Sequence, residues 1–213
     1  MHKLSVVDHD ADCVVLDKPA GLLCVPGRGA DKQDCLSARV QALYPDALVV
    51  HRLDMATSGL WIMARGSAMQ RRLGDAFARR DVDKRYVAVV MGEVTPPPAE
   101  WGEIDLPLAA DWPNRPRRVV DPAAGKPSVT LWRVLGAGPW PGTTRLELQP
   151  VTGRSHQLRV HLQSIGHPIL GDALYAPAPV AAAAPRLLLH ASELALTHPG
   201  TGTLRHWASP VPF

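Results

Sequence analysis

The stretch "VVHRLDMATSGLWIMA", residues 49–64, places a polar segment between two apolar runs. The runs "ALVV" and "GLWIMA" favour strands, so "RLDMATS" is predicted to connect them, with Thr57 and Ser58 holding a local turn. Asp54 then lies at a strand end. It is either a turn-forming residue or an ionised carboxylate in a partly dry cleft, and the second role needs a fixed cation such as arginine, which does not deprotonate.

The sequence on either side of this stretch predicts short strands, hairpins and a few helices. Apolar residues at helical spacing predict helices at Leu36–Leu43, from an N-cap at Ser67 to Phe77, and at Leu158–Ile165 before Gly166. Residues 95–127 are rich in proline and lack periodicity, so we expect a long loop there. We expect a surface loop for "APAPVAAAAP", residues 176–185. Together these patterns predict an α+β fold around a largely antiparallel central sheet.

The length and composition indicate the class of protein. The 213 residues, 46% of them hydrophobic, predict a single domain over residues 1–213. The net charge is +3, with eighteen arginines against five lysines, which indicates either an RNA-binding surface or codon bias. The three cysteines match no metal spacing, and neither a secretory signal nor a membrane-spanning run is evident. We therefore expect a soluble cytoplasmic protein with reduced thiols.

Two further segments carry candidate functional residues. In "GRSHQLRVH", Arg159 shares a predicted helix face with His156 and Gln163, and that face either lines a cleft or is solvated. Tyr86 opens the strand "YVAVV" and could equally be a half-buried strand aromatic. His156 and His161 lie about 140° apart on a helix, so they do not form a zinc pair. No serine-hydrolase elbow or phosphate loop is present.

Five segments together resemble the RluA family of pseudouridine synthases. They occur in the family's order and span nearly the whole chain: "LDKPAGLLCVPG", "HRLDMATSGL", "KRYVAVVMG", "GRSHQLRVHLQSIGHPILGD" and "RLLLHA". The combination of "HRLD" with "GRSHQLRVH" is highly specific. The segment "DWPNRPRR" and the lack of an S4 extension are most similar to the dual-specificity branch of the family, which acts on 23S rRNA and tRNA.

The resemblance implies a fold, a reaction and site residues. It implies a pseudouridine synthase fold with a central RNA-binding cleft, Asp54 as the catalytic aspartate and Arg159 as its ion-pair partner. It also implies that Tyr86 lies against the target uracil, that Arg52 enters the gap left by the flipped base, and that Leu189 lines the apolar pocket. No cofactor or metal is implied, and we expect a monomer that binds RNA but no membrane.

Substrate choice and enzymatic activity leave alternatives open. The expected substrates are hairpin-loop uridines of the tRNA anticodon stem-loop and of 23S rRNA. The alternatives are a synthase of the same family acting on other rRNA uridines, or a non-catalytic RNA-binding protein. The arginine-rich segment "WPNRPRR", residues 112–118, is a candidate for gripping RNA beside the target.

Overall fold

The computed structural model describes residues 4–213. The strands, in chain order, are β1 (Val6–His9), β2 (Cys13–Lys18), β3 (Ala47–Val49), β4 (Ser58–Arg65), β5 (Val82–Met91), β6 (Gly102–Asp105), β7 (Leu108–Ala110), β8 (Arg118–Val120), β9 (Val129–Ala137), β10 (Thr143–Pro150), β11 (Leu189–Thr197) and β12 (Leu204–Ala208). The α-helices are α1 (Leu36–Gln41), α2 (Gly66–Arg79), α3 (Gln157–Ser164) and α4 (Ala178–Ala182), and Ala30–Lys32 form a 3₁₀ turn. Among the described residues, no helix is both long enough and apolar enough to cross a membrane.

The chain divides into two compact units. The first comprises the chain up to Lys84 together with Ala191–Val211, and the second comprises Arg85–His190 and Pro212–Phe213. The chain leaves the first unit within β5 and returns to it within β11. The expectation of a single catalytic domain over residues 1–213 stays a prediction.

The first unit is an antiparallel sheet covered by the apolar face of α2. Strand β4 pairs with β2 from Cys13↔Ala64 to Lys18↔Gly59, β3 also pairs with β4, and β11 pairs with β12. Helix α2 buries Met69, Leu73 and Ala76 against alternate residues of the strands, because residues of period two point to one sheet face. Its arginines lie on the exposed side. The Asp54 loop therefore starts and ends on strands of one packed sheet.

The second unit has a similar antiparallel sheet. Its order is β5, β10, β9, β6, and Tyr86 of β5 lies opposite Leu148 of β10. Strands β7 and β8 form a separate hairpin. Helix α3 buries both apolar and polar side chains, including Leu158, Arg159 and Leu162. The predicted helix at this position is confirmed, as is the α+β class with an antiparallel sheet.

Three local predictions are wrong. Helix α2 begins at Gly66, not after a Ser67 N-cap, because Gly66 has φ +76° and turns the chain directly out of β4. Residues 95–127 are not one loop, since β6, β7 and β8 lie within them and are stabilised by pairing with distant strands or with each other. Residues 176–185 contain α4, whose prolines are tolerated because they lie in the first turn and just before it.

Candidate active site

Asp54 lies in the loop between β3 and β4, and the residue before it anchors that loop. Leu53 is buried, its N–H donates to the Cys24 sulfur at 3.3 Å, and its carbonyl accepts the Cys24 thiol at 3.3 Å. The Thr57 N–H donates to the Asp54 carbonyl at 3.1 Å and closes the predicted turn. Arg52 is exposed and Asp54 is half-buried. The fixed backbone thus leaves both charged side chains accessible to solvent.

His51 fixes the start of this loop as a neutral ring. Its Nε2 accepts the Ile62 N–H at 3.2 Å, its carbonyl accepts the Trp61 indole N–H at 2.9 Å, and its ring stacks on Phe77 at 4.4 Å between centroids. Burial, reinforced by the nearby positive charge of Lys84, lowers the pKa of His51 to about 3. The imidazole is therefore uncharged near neutral pH and acts as an acceptor.

Lys18 fixes the other end of the loop. It is fully buried, and its ammonium group donates to the carbonyls of Pro19 at 2.9 Å, Leu22 at 2.7 Å and Met55 at 3.0 Å. A buried ammonium is costly unless its donors are satisfied, and three carbonyls match its three N–H groups. Lys18 thereby ties the "KPAGL" turn to the residue that follows Asp54.

Gly59 fixes the path of β4 just after the turn. It has φ +109°, and a Cβ at this position would lie 2.3 Å from the Ala191 carbonyl oxygen. Any side chain would therefore push β4 away from β11.

In the second unit, Arg159 is held by a buried carboxylate. Its Nε donates to Asp172 Oδ2 at 2.8 Å and its Nη2 donates to Oδ1 at 2.6 Å. Both residues are almost fully buried, at 4% and 1% exposure. Asp172 Oδ1 also accepts the N–H groups of Leu174 at 2.9 Å and Tyr175 at 3.2 Å. This bidentate geometry fixes the plane of the guanidinium.

Tyr175 extends this arrangement to the start of α3. Its hydroxyl lies within hydrogen-bond distance of His156 Nδ1, at 2.6 Å, and accepts the Arg118 N–H at 2.8 Å. The Arg159 guanidinium lies 5.0 Å from the centroid of the Tyr175 ring. His156 itself has the left-handed φ of 58°. Tyr175 therefore connects Arg159, α3 and strand β8.

The structure places the predicted site residues in two groups. Arg52 and Asp54 share one loop of the first unit, and Tyr86, Arg159 and Leu189 belong to the second. Tyr86 is half-buried on β5 and Leu189 is buried at the start of β11. The roles predicted for these residues, and the ion pair between Asp54 and Arg159, stay predictions.

Sequence reasoning missed two residues of these arrangements. Lys18 is present in the sequence analysis only within "LDKPAGLLCVPG", and Asp172 only as the last residue of "GRSHQLRVHLQSIGHPILGD". A signal for Lys18 is its place between a buried apolar run and a Pro/Gly turn, where a solvated lysine is not expected. A lone Asp after "PIL" offers no comparable signal, because its partner lies thirteen residues away on α3.

Asp10, Cys13 and His198 form a polar cluster elsewhere in the first unit, with their potential ligand atoms within 4.8 Å of one another. His198 Nδ1 accepts the N–H groups of Gly200 and Thr201 at 3.2 Å each, and His198 Nε2 lies 3.3 Å from Asp10 Oδ2. Burial, with the nearby aspartate charges, raises the pKa of Cys13 to about 12. Hydrogen bonding within the protein accounts for the cluster.

Comparisons with known proteins connect this geometry to one reaction class. The sequence model of the family described as RNA pseudouridylate synthase matches residues 12–164. A dual-specificity RNA pseudouridine synthase RluA from Escherichia coli strain K12 is 48% identical over 210 residues, covering 99% of this chain and 94% of its own. The RluA of Yersinia pestis is 46% identical over 208 residues, covering 98% of this chain and 99% of its own.

Solved structures show the same fold. Human RNA pseudouridylate synthase domain containing 1 superimposes with a TM-score of 0.80 at 27% identity, over 99% of this chain and 84% of its own. Human RNA pseudouridylate synthase domain containing 4 gives a TM-score of 0.77 at 25% identity, over 98% and 88%. The predicted family, fold and enzyme class are confirmed: the chain belongs to the RluA family of RNA pseudouridine synthases.

Proposed function

We propose that the protein converts uridine to pseudouridine in hairpin loops of both the tRNA anticodon stem-loop and 23S rRNA. The two bacterial relatives described above carry dual specificity in their names and match this chain over nearly its whole length, which supports the pair of substrates. The chemistry rests on one observation. Asp54 is a half-buried carboxylate on a loop whose backbone is fixed at Leu53, at the Thr57 turn and at Met55.

The reaction requires a carboxylate and a closed pocket, and it does not require a redox cofactor. The N1–C1′ bond breaks, the uracil turns, and C5 bonds to C1′, while the proton lost from C5 is balanced by one gained at N1. The product is therefore an isomer of the substrate, and no oxidant or reductant is consumed. Asp54 can attack C1′, stabilise positive charge there, or act as a base on a glycal route.

Base flipping assigns a role to Arg52. A stacked base cannot reach the carboxylate, so the nucleotide must leave the stack at a cost of a few kcal/mol. In this proposal the exposed Arg52 side chain, two residues before Asp54, fills the gap and contacts phosphate. Hairpin loops cost less to open than duplex, which favours loop uridines as substrates.

The other roles follow the same proposal. Arg159 offsets the negative charge of Asp54. A guanidinium has five N–H donors, and the contact with Asp172 uses two of them, so one arginine is chemically able to serve two carboxylates. Tyr86 lies against the uracil ring, and Leu189 forms part of the apolar wall. We also propose that the enzyme works as a cytoplasmic monomer, which light scattering and fractionation can test.

The decisive experiment removes the charge of Asp54 while keeping its shape. Asp54→Asn should abolish tritium release from 5-tritiated uridine in tRNA and in a 23S rRNA fragment, with RNA binding retained. Asp75→Asn, an exposed aspartate on α2, is the matched control and should retain activity. Turnover by Asp54→Asn would remove Asp54 from the mechanism, and binding without any turnover by the unaltered protein would favour a non-catalytic role.

Substrate choice needs a separate measurement. Pseudouridine mapping of tRNA and 23S rRNA from a strain that lacks the gene should show one or more uridines unmodified in each pool, and re-expression should restore them. Loss from only one pool would make dual specificity wrong while leaving the reaction itself intact.

A further inference from the structure

The β7–β8 hairpin carries an exposed tryptophan that is stacked by an arginine. Trp112 is 68% exposed, and the Arg115 guanidinium carbon lies 3.5 Å from the centroid of its ring. A cation so close covers one face of the indole, so most of the exposed area belongs to the opposite face and the ring edge. This face is therefore available to a ligand that stacks on an aromatic ring.

The hairpin holds this pair in a defined position. Strands β7 and β8 pair from Leu108↔Val120 to Ala110↔Arg118, and the Asp111 N–H donates to the Arg117 carbonyl at 3.1 Å. The Asp111 carboxylate accepts the backbone and side-chain N–H groups of Asn114, with the closest distance 3.0 Å. The connection that carries Trp112 and Arg115 is therefore internally bonded.

The hairpin is also attached to the residues that hold Arg159. The Arg117 guanidinium donates to the Leu174 carbonyl, and the Arg118 N–H donates to the Tyr175 hydroxyl at 2.8 Å. Leu174 and Tyr175 are the two residues whose N–H groups bind Asp172. Within the second unit, these contacts hold the hairpin that carries Trp112 in a fixed position relative to the Arg159 guanidinium.

Charge identifies the kind of ligand. The seven-residue segment 112–118 contains three arginines, and the nearest acidic residue in the sequence is Asp111. An aromatic face beside guanidinium groups suits a nucleobase that stacks while its phosphate contacts the cations. Arg115 behind the ring adds a cation–π interaction. A paired base has both faces covered by its neighbours, so the ligand must be unpaired.

We propose that Trp112, backed by Arg115, is a stacking platform for one unpaired base of the substrate RNA loop other than the target uridine, with Arg115 contacting the adjacent phosphate. This assignment rests on the proposed function, because it takes a hairpin-loop RNA as the substrate. It adds a second recognised nucleotide to the flipped uridine, so it makes loop sequence and loop length part of substrate selection.

The first experiment measures steady-state kinetics on an unmodified tRNA anticodon stem-loop. Trp112→Ala should raise KM by roughly tenfold to hundredfold, which is the usual effect of losing one base–aromatic stack, and the loss should appear mainly in KM. Trp112→Phe keeps an aromatic face and should restore most of the affinity. Trp140→Ala, which removes another exposed tryptophan in the β9–β10 connection, is the matched control and should behave like the unaltered protein.

The second experiment finds the base that stacks. Each loop nucleotide except the target is replaced in turn by an abasic residue, and the substrate set is assayed with the unaltered protein and with Trp112→Ala. At one loop position, the abasic substitution should raise KM for the unaltered protein but not for Trp112→Ala, because the base and the ring form a single contact. If KM is unchanged in Trp112→Ala, or if the effects of the variant and of the abasic substitutions on KM are additive at every position, the proposed platform is wrong.

These results separate the platform from the proposed function. If the unaltered protein forms no pseudouridine in any loop RNA, the proposed function fails. If it forms pseudouridine and Trp112→Ala does so with the same KM, only the platform fails.

Discussion

The loop that carries Asp54 and the helix that carries Arg159 are stabilised in different ways. The anchors of the Asp54 loop act on its backbone and on neighbouring residues, as Leu53 does with Cys24 and Met55 does with Lys18. Arg159 is instead held by its own charged group, through the bidentate pair with Asp172. The free energy of unfolding should therefore depend more on the Arg159–Asp172 pair, and the chemical step more on Asp54.

The largest effect on stability is expected from Asp172→Asn. This change leaves the Arg159 guanidinium buried without its compensating charge, and removing one partner of a buried pair costs about 3 to 5 kcal/mol. Urea unfolding should show the loss. Exchanging both partners for apolar residues of similar volume, as in Arg159→Met with Asp172→Leu, should recover only part of the stability, because the Leu174 and Tyr175 N–H groups lose their acceptor, and should not recover activity.

Asp54→Asn provides the comparison for that prediction. If Asp54→Asn lowers the free energy of unfolding as much as Asp172→Asn does, the two regions are stabilised alike and the comparison is wrong.

The second prediction concerns the pH dependence of the free energy of unfolding that arises from His51, whose neutral ring holds the start of the Asp54 loop. The pKa of His51 is about 3 in the fold against roughly 6.5 in an unfolded chain. The unfolded state therefore binds more protons between these values, so the stabilising contribution is complete above about pH 6.5 and is lost as the pH falls towards 3. From pH 6.5 to 4 the loss should be of the order of 3 kcal/mol.

His51→Asn isolates this contribution from other acid-sensitive groups. The side-chain amide oxygen can still accept a hydrogen bond, but it does not titrate in this range. The difference in urea midpoint between the unaltered protein and the variant should narrow as the pH falls from 7 to 4. A difference that stays constant with pH would show that His51 is not kept neutral by the fold.

The third prediction concerns the shape of the cation. Arg159→Lys keeps the charge but replaces a planar fork by a point charge, so the two parallel bonds to Asp172 cannot both form. We expect a loss of about 1.5 to 3 kcal/mol in the free energy of transition-state binding, seen as a roughly tenfold to hundredfold lower kcat/KM. A near-normal kcat/KM would mean that bidentate geometry is not needed.

The parts of the fold that sequence reasoning predicted are those with a local signal. The short continuous apolar run "GLWIMA" predicted β4, and the spacing of Leu158 and Leu162 predicted α3, because a buried strand is a short apolar run and a helix repeats its apolar residues every three to four positions. Strands β6 to β8 had no such signal. They are three or four residues long, and pairing with β9 or with each other, not their own sequence, stabilises them.

In the candidate site, as in the fold, contacts without a local sequence signal were missed. Resemblance to a family identified Arg159, but it did not reveal that Asp172 binds the guanidinium, since that contact depends on how the chain after α3 folds back. Lys18 was missed for a related reason. Its ligands are backbone carbonyls, which carry no mark in the sequence, and one of them, that of Met55, lies thirty-seven residues along the chain.

The smallest expected effect comes from Tyr175→Phe, which tests whether the Tyr175 hydroxyl connects the β7–β8 hairpin to the region around Arg159. The change keeps the ring against Arg159 but removes the hydroxyl shared by His156 and the Arg118 N–H. The two hydrogen bonds that are lost together contribute about 1 to 2 kcal/mol. Amide hydrogen exchange should accelerate at Arg118, where the acceptor is lost, and stay unchanged at Leu53, whose N–H is bound by Cys24 in the other unit. Equal exchange at Arg118 in both proteins would mean that the hairpin is positioned by the Arg117 contact alone.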